Sequence, residues 1–174
     1  GERINARGRR CFLCLEHLPE SQKGVLYRNE YLILCNPRPI FPAHFTISHL
    51  EHLPQAIANE MQTFLRLLAE FGPGWTVFYN GPKCGASAPD HLHFQAAPSG
   101  EIPIEREMRE EKRITEPKWF DGVLFYRLRD LGREAVVMEG EDPAAVKAVF
   151  IDLMNALKRV LSLHEEPMIN AAGF

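Results

Sequence analysis

Between residues 91 and 96 polar and apolar side chains alternate without a break, His-Leu-His-Phe-Gln-Ala, and prolines at 89 and 98 bound the run. A period of two is the signature of a strand. It puts His91, His93 and Gln95 on one face and Leu92, Phe94 and Ala96 on the other. The apolar face is expected to pack on a core, leaving two imidazoles and an amide on an accessible face of a rigid element. Upstream, aromatic and branched residues at 25–27 and 31–35 predict a hairpin turning at 28–30, and residues 43–48 resume an extended pattern after the proline-punctuated crossing 36–42. Pro54 suits the first turn of a helix whose apolar stripe is Ile57, Met61, Phe64, Leu65 and Leu68, stopped by glycine and proline at 72–74. A strand at 75–79 then delivers the loop before the histidines.

A similar order follows. Residues 119–128 and 133–139 read as strands joined by 129–132, and Asp142 with Pro143 opens a helix with the stripe Val146, Val149, Phe150, Leu153, Leu157, Val160 and Leu161. Residues 167–174 read as a last strand. Hairpin, long helix and strand thus occur twice, which predicts an α+β chain of two related halves: residues 11–100 carrying the histidines, and residues 101–174 as a partial or degenerate copy without them. The charged stretch 101–116 reads as a solvated excursion. Residues 1–10, basic and polar, read as a flexible arm.

Composition narrows the function classes. The 174 residues are 45% hydrophobic and 25% charged, with a net charge of -3. That charge argues against bulk electrostatic binding to nucleic acid or an anionic membrane. The chain has no apolar run near the ~18 residues that span a bilayer, and no export pattern is visible, so a cytoplasmic location is the expectation. Four cysteines in such a chain argue for metal or redox chemistry rather than a disulfide framework. Cys11 and Cys14 have the two-residue spacing that points both sulfurs at one zinc ion. A thioredoxin-like site would need a strand before and a helix after, whereas Pro19 and a polar segment follow. Cys35 and Cys84 read as bystanders. His44, His49 and His52 lie downstream as candidate partners.

The loop ahead of the histidine strand contains Asn80, Gly81, Lys83, Gly85 and Ser87. Its glycines permit close approach of backbone N–H groups to an anion, and Lys83 adds a positive charge. It is not a P-loop, for the Gly-Lys-Ser/Thr ending is absent.

Loop and His-x-His-x-Gln together resemble the histidine-triad superfamily, in particular its transferase branch of galactose-1-phosphate uridylyltransferase and diadenosine tetraphosphate phosphorylase, where glutamine replaces the last histidine of the triad. The resemblance implies an antiparallel sheet packed with long helices. It implies too that Asn80, Gly81, Gly85 and Ser87 line a phosphate site, to which Lys83 would add its charge, although Asn80 and Gly81 lack the residue that separates their counterparts. His44 would open a strand that His52 closes as a metal ligand, with His49 its rival. His52 and His91 would join Cys11 and Cys14 in a closed structural zinc site, with no organic cofactor. The expected chemistry is nucleotidyl transfer from a nucleotide sugar or dinucleoside polyphosphate. His93 would be the nucleophile, and Gln95 would hold the phosphoryl oxygens. A homodimer is compatible with this reading, as are a hydrolase of the same superfamily and a non-enzymatic zinc-stabilised nucleotide-binding module.

Overall fold

The computed structural model describes residue 8 and residues 10–174 of the chain, so most of the expected N-terminal arm lies outside the described residues. The described residues form nine strands and three α-helices. Strands β1 (Gly24–Tyr27) and β2 (Tyr31–Cys35) form the expected hairpin, with Arg28 and Asn29 both at positive φ in the turn. β3 (Phe45–His49), helix α1 (Ile57–Phe71), β4 (Trp75–Asn80) and β5 (His93–Pro98) follow. After a short helix α2 (Pro103–Glu107) come β6 (Ile114–Phe120), β7 (Val123–Leu128) and β8 (Ala135–Glu139), then α3 (Pro143–Val160) and β9 (Asn170–Gly173).

The larger sheet is antiparallel throughout, in the order β1-β2-β3-β5-β4-β9. β6, β7 and β8 make a separate antiparallel sheet. Ile47 opposite Phe94 and Val77 opposite Ala96 place apolar side chains on one face of the large sheet. These join Ile57, Met61, Phe64 and Leu67 of α1 and Val149, Phe150 and Met154 of α3 in one core. The other face carries Thr46, Ser48, His93 and Gln95 at neighbouring positions on β3 and β5.

Five elements depart from the pattern. The histidine strand, expected over 91–96, is β5 at His93–Pro98, so His91 and Leu92 precede it in the loop. Helix α1 begins at Ile57, three residues after Pro54, and the predicted stripe rotates so that Leu67 is buried while Leu65 and Leu68 are only partly covered. Residues 119–128 are two strands, because Asp121 and Gly122, both at positive φ, turn the chain between β6 and β7. On α3, Met154 is buried in place of Leu153, and Val160 and Leu161 are 81% and 54% exposed. The last strand pairs with β4, so the C-terminal segment completes the sheet that holds the histidines.

That segment also caps α1. Ala56 at the N-cap offers no side-chain acceptor. Glu166, 109 residues away, supplies one: its Oε2 accepts from the Ile57 N–H at 2.8 Å, and its Oε1 accepts from the buried Tyr79 hydroxyl at 2.5 Å. A carboxylate at a helix N-terminus is favoured by the helix dipole as well as by the bond. Burial, reinforced by the Glu166 carboxylate, pushes the Tyr79 hydroxyl up, so that it stays a donor. Glu166→Ala strips both partners at once and is expected to destabilise the chain by about 2–4 kcal/mol. A urea titration showing a lower midpoint at unchanged slope checks it; an unchanged midpoint would mean the two donors find other acceptors.

Candidate functional site

His93 opens β5, and its place is fixed by main-chain geometry on every side. Its backbone sits opposite Ser48 of β3. Its ring is 3% exposed, so the face expected to be accessible is largely covered. Gln55, in the segment before α1, bonds the His93 main chain, and the N-terminal knuckle covers the neighbouring His91. The His93 Nδ1–H donates to the His91 carbonyl oxygen at 2.8 Å. A carbonyl can only accept, so this bond assigns the proton to Nδ1 and leaves Nε2 with its lone pair. Nε2 has no hydrogen-bond partner among the described residues. Burial pushes the His93 imidazole below its ordinary pKa, with the bond to His91 opposing the shift, and the ring is neutral near pH 7.

Gln95 lies two residues along β5, on the same face and half-buried. Its Oε1 accepts from the His44 Nε2–H at 2.8 Å. The Ile40 N–H, 3.4 Å from His44 Nδ1, agrees with a ring proton on Nε2, while the Asn36 amide nitrogen, 3.4 Å from Nε2, opposes it; the much shorter Gln95 contact decides for Nε2–H. With its oxygen engaged, Gln95 keeps its amide N–H groups for a ligand. Phe41 and Phe78 pack against the His44 ring, edge-on and tilted at centroid distances of 5.3 and 5.8 Å, and hold it in place.

His91 turns away to a second centre. Fully buried, it gathers with Cys11, Cys14 and His52 so that one donor atom from each lies within 4.8 Å of the others. Cys11 Sγ is 3.2 Å and Cys14 Sγ 3.6 Å from His91 Nδ1, and His52 Nδ1 is 3.2 Å from Cys14 Sγ. Ligands of a tetrahedral zinc ion stand roughly 3.6 Å apart. Both cysteines are free thiols with no exposed surface. The ring tautomers agree with a metal-binding role: His91 Nε2–H donates to the His49 carbonyl at 2.8 Å, and His52 Nε2 lies 3.3 Å from an Asp90 carboxylate oxygen. In each, the outward nitrogen is the donor and the bare Nδ1 faces the sulfurs, with a carbonyl and a carboxylate behind. Burial drives the His91 pKa down to about 4. The four residues can hold a metal ion. His49, the rival ligand, instead packs edge-on against Tyr31 and accepts from the Glu51 N–H.

The loop 81–92 hangs between these centres. The Gly81 N–H is shared by the Ile169 carbonyl at 3.1 Å and Asn170 Oδ1 at 3.0 Å. A Cβ at Gly81 would collide with that carbonyl, which is why glycine stands there. The Lys83 ammonium pairs with Glu165. Ala88 is buried against Cys11, Leu13 and Cys14. Pinned at both ends, the loop exposes Lys83, Gly85 and Ser87, and Gly85 has a φ of 97° that an L-residue rarely adopts. The structure gathers Cys11, Cys14, His52 and His91 and sets His93 and Gln95 on β5, whereas among the described residues no hydrogen bond or ion pair joins Lys83, Gly85 or Ser87 to His93 or Gln95. One residue in contact with His93 lies outside the sequence pattern. Gln55, a polar residue beside a proline, gave no periodic signal, yet its side chain is bonded to the main chain of His93.

The family described as a domain of unknown function, DUF4922, matches residues 2–98. Among solved structures, the chain is similar to the crystal structure of yeast Ap4A phosphorylase Apa2 in complex with AMP, with a TM-score of 0.51 at 23% identity over 86% of this chain and 55% of that one. The crystal structure of yeast Ap4A phosphorylase Apa2 gives a TM-score of 0.48 at 19% identity, over 84% and 53%. The chain therefore spans about half the length of these relatives. The likeness shows the fold, an α+β chain with a HIT-like antiparallel sheet. No curated protein matches, and no described helix is long and apolar enough to cross a membrane.

Proposed function

The chain belongs to the DUF4922 family, and from that premise and the site's geometry we propose that it is a nucleotidyltransferase or phosphorylase working through a covalent nucleotidyl-histidine. One observation carries the reading: His93 presents a neutral, unpartnered Nε2 on a strand where Gln95, two residues on, holds free amide N–H groups to the same side. The similarity in fold to an Ap4A phosphorylase bound to AMP supports a nucleotide substrate.

In the proposed reaction the Nε2 lone pair attacks the α-phosphorus of a nucleotide sugar or dinucleoside polyphosphate. The N–P bond forms as the P–O bond to the leaving phosphate breaks, and the bonding pair leaves on that oxygen. Positive charge that develops on the ring is carried by the Nδ1–H bond to the His91 carbonyl. Phosphate or a sugar phosphate then attacks through an oxygen, the N–P bond breaks, and its pair returns to Nε2. Gln95 donates to the equatorial oxygens through both steps. Asn80, Gly81, Lys83, Gly85 and Ser87 form the phosphate-facing wall. Lys83 exchanges Glu165 for the polyphosphate, and Gly81 lets the backbone pass closely. Cys11, Cys14, His52 and His91 hold a structural zinc ion, which clamps the knuckle to the residues that open β5. In this reading residues 101–174 are the partial second half, with the β6-β7-β8 sheet as its own part, α3 sharing the core of α1, and β9 joined to the sheet of the first half.

Diadenosine tetraphosphate supplied with and without inorganic phosphate tests the class. Phosphate-dependent release of ADP supports transfer, whereas equal release of AMP without phosphate would make the chain a hydrolase. Gln95→Ala is expected to leave the adduct detectable while slowing its formation or turnover by about 10², the usual cost of an oxyanion donor. Stopped-quench kinetics on that variant reads the effect, and a wild-type rate would remove Gln95 from the mechanism.

A further inference from the structure

Gln55 lies in the segment between β3 and α1 and is 3% exposed. Its amide makes three bonds. Oε1 accepts from the His93 N–H at 2.8 Å, and Nε2 donates to the His93 carbonyl and to the Asn80 carbonyl, each at 3.0 Å. The orientation is unambiguous: one partner can only donate and two can only accept, so a glutamine fits and a glutamate does not.

The position of these bonds gives them meaning. β4 and β5 pair from Trp75 with Pro98 to Phe78 with Gln95. Continuing that register would bring Asn80 opposite His93, but β5 ends its pairing with β4 before then. The Gln55 amide occupies the gap, standing in for the strand edge that His93 has lost. On the opposite edge of the chain, the bonds from His49 N–H to the Leu92 carbonyl (3.0 Å) and from Leu92 N–H to the Leu53 carbonyl (2.7 Å) tie the residue before His93 to β3 and to the segment that carries Gln55. Where β4 parts from β5, the loop 81–92 begins.

We infer that Gln55 is a positioning residue, a side-chain wedge that holds β4 and β5 apart at the nucleophile while fixing the His93 backbone and Asn80, the last residue of β4, to each other. This rests on the reading of His93 as nucleophile, and it adds a residue that acts on the reaction only through others. Without the wedge, the strands can close toward their regular register or His93 can shift. Either displaces Nε2 from a bound phosphorus, and a misplacement of about 1 Å costs on the order of 10² in rate.

Two measurements decide it. Amide hydrogen exchange on the wild-type protein should protect the His93 N–H as strongly as that of Ala96 in mid-strand; free exchange at His93 in the wild type would overturn the inference without any variant. In Gln55→Leu, and in Gln55→Glu, which keeps the size but turns an oxygen on two carbonyls, the His93 amide should exchange faster while Ala96 stays protected. Unchanged exchange would overturn it too. In the same variants, diadenosine tetraphosphate should label His93 about 10²-fold more slowly, with AMP affinity within a few-fold of wild type. Labelling at the wild-type rate, or AMP affinity lost in step with rate, would reduce Gln55 to a core residue. If the wild-type protein is never labelled, the transfer reading fails, and exchange at His93 alone decides the wedge.

Discussion

His93→Ala is expected to lower nucleotidyl transfer by at least about 10⁴-fold, the scale on which loss of a nucleophile is felt when no other group can take its place. Neither His91 nor His44 can take its place. His91 commits Nε2 to the His49 carbonyl and turns Nδ1 to the thiols, and His44 is engaged by Gln95 and the Ile40 N–H. The variant should fold, since the His93 ring makes one bond and the main-chain contacts with Gln55 survive the truncation. Donor binding is expected to persist, because the loop and Gln95 remain. A nucleotide imidazolide could enter the space left by the ring, and His93→Gly supplied with that reagent is expected to regain partial transfer to the acceptor. Steady-state assays of both variants with the same donor and acceptor check this, and a wild-type rate in His93→Ala would remove the histidine from the chemistry.

Loss of the metal site is the second large effect. Cys14 lies within reach of both histidines of the cluster, so Cys14→Ser loosens the knuckle from His52 and His91 together. Structural zinc contributes on the order of 10 kcal/mol to the folding of small domains. Part of that is expected to be lost, lowering the melting temperature by roughly 10 °C or more. Elemental analysis should find about one zinc per wild-type chain and less in the variant. Chelation should reproduce the destabilisation in the wild type and add little to the variant. If instead the wild-type protein purified without chelator carries no zinc and Cys14→Ser melts with it, the cluster is a packed group of thiols and imidazoles.

Alternation, a local property, makes the histidine strand legible from His93 onward, and Phe94 and Ala96 do pack on the core, but the strand does not extend back to His91 and Leu92, which lie in the loop. Burial of the opposite face was not legible. It comes from residues 49–55 and the knuckle at 11–14, tens of residues away, and from bonds that period two does not encode. The start of α1 was misplaced for a similar reason: its N-terminal acceptor is Glu166, brought by the C-terminal segment, so no capping residue stands in the local sequence. The turn at Asp121 and Gly122 was available in the sequence, since that dipeptide is a strong hairpin signal, and the run of apolar residues around it masked the break. Helical spacing told the buried face of α3 only to within one residue, which is how Met154 displaced Leu153. Cys11, Cys14, His52 and His91 were gathered by resemblance and spacing, and the structure brings the same four together.

Intact-mass spectrometry after brief exposure of the wild-type protein to diadenosine tetraphosphate, and in parallel to a nucleotide sugar, addresses the covalent intermediate itself. The account predicts one added nucleoside monophosphate per chain with at least one of these donors, lost in acid, stable in base, mapping to His93 and absent from His93→Ala. A donor that is turned over without any adduct in rapidly quenched samples, or an adduct that maps to a different residue, would contradict it.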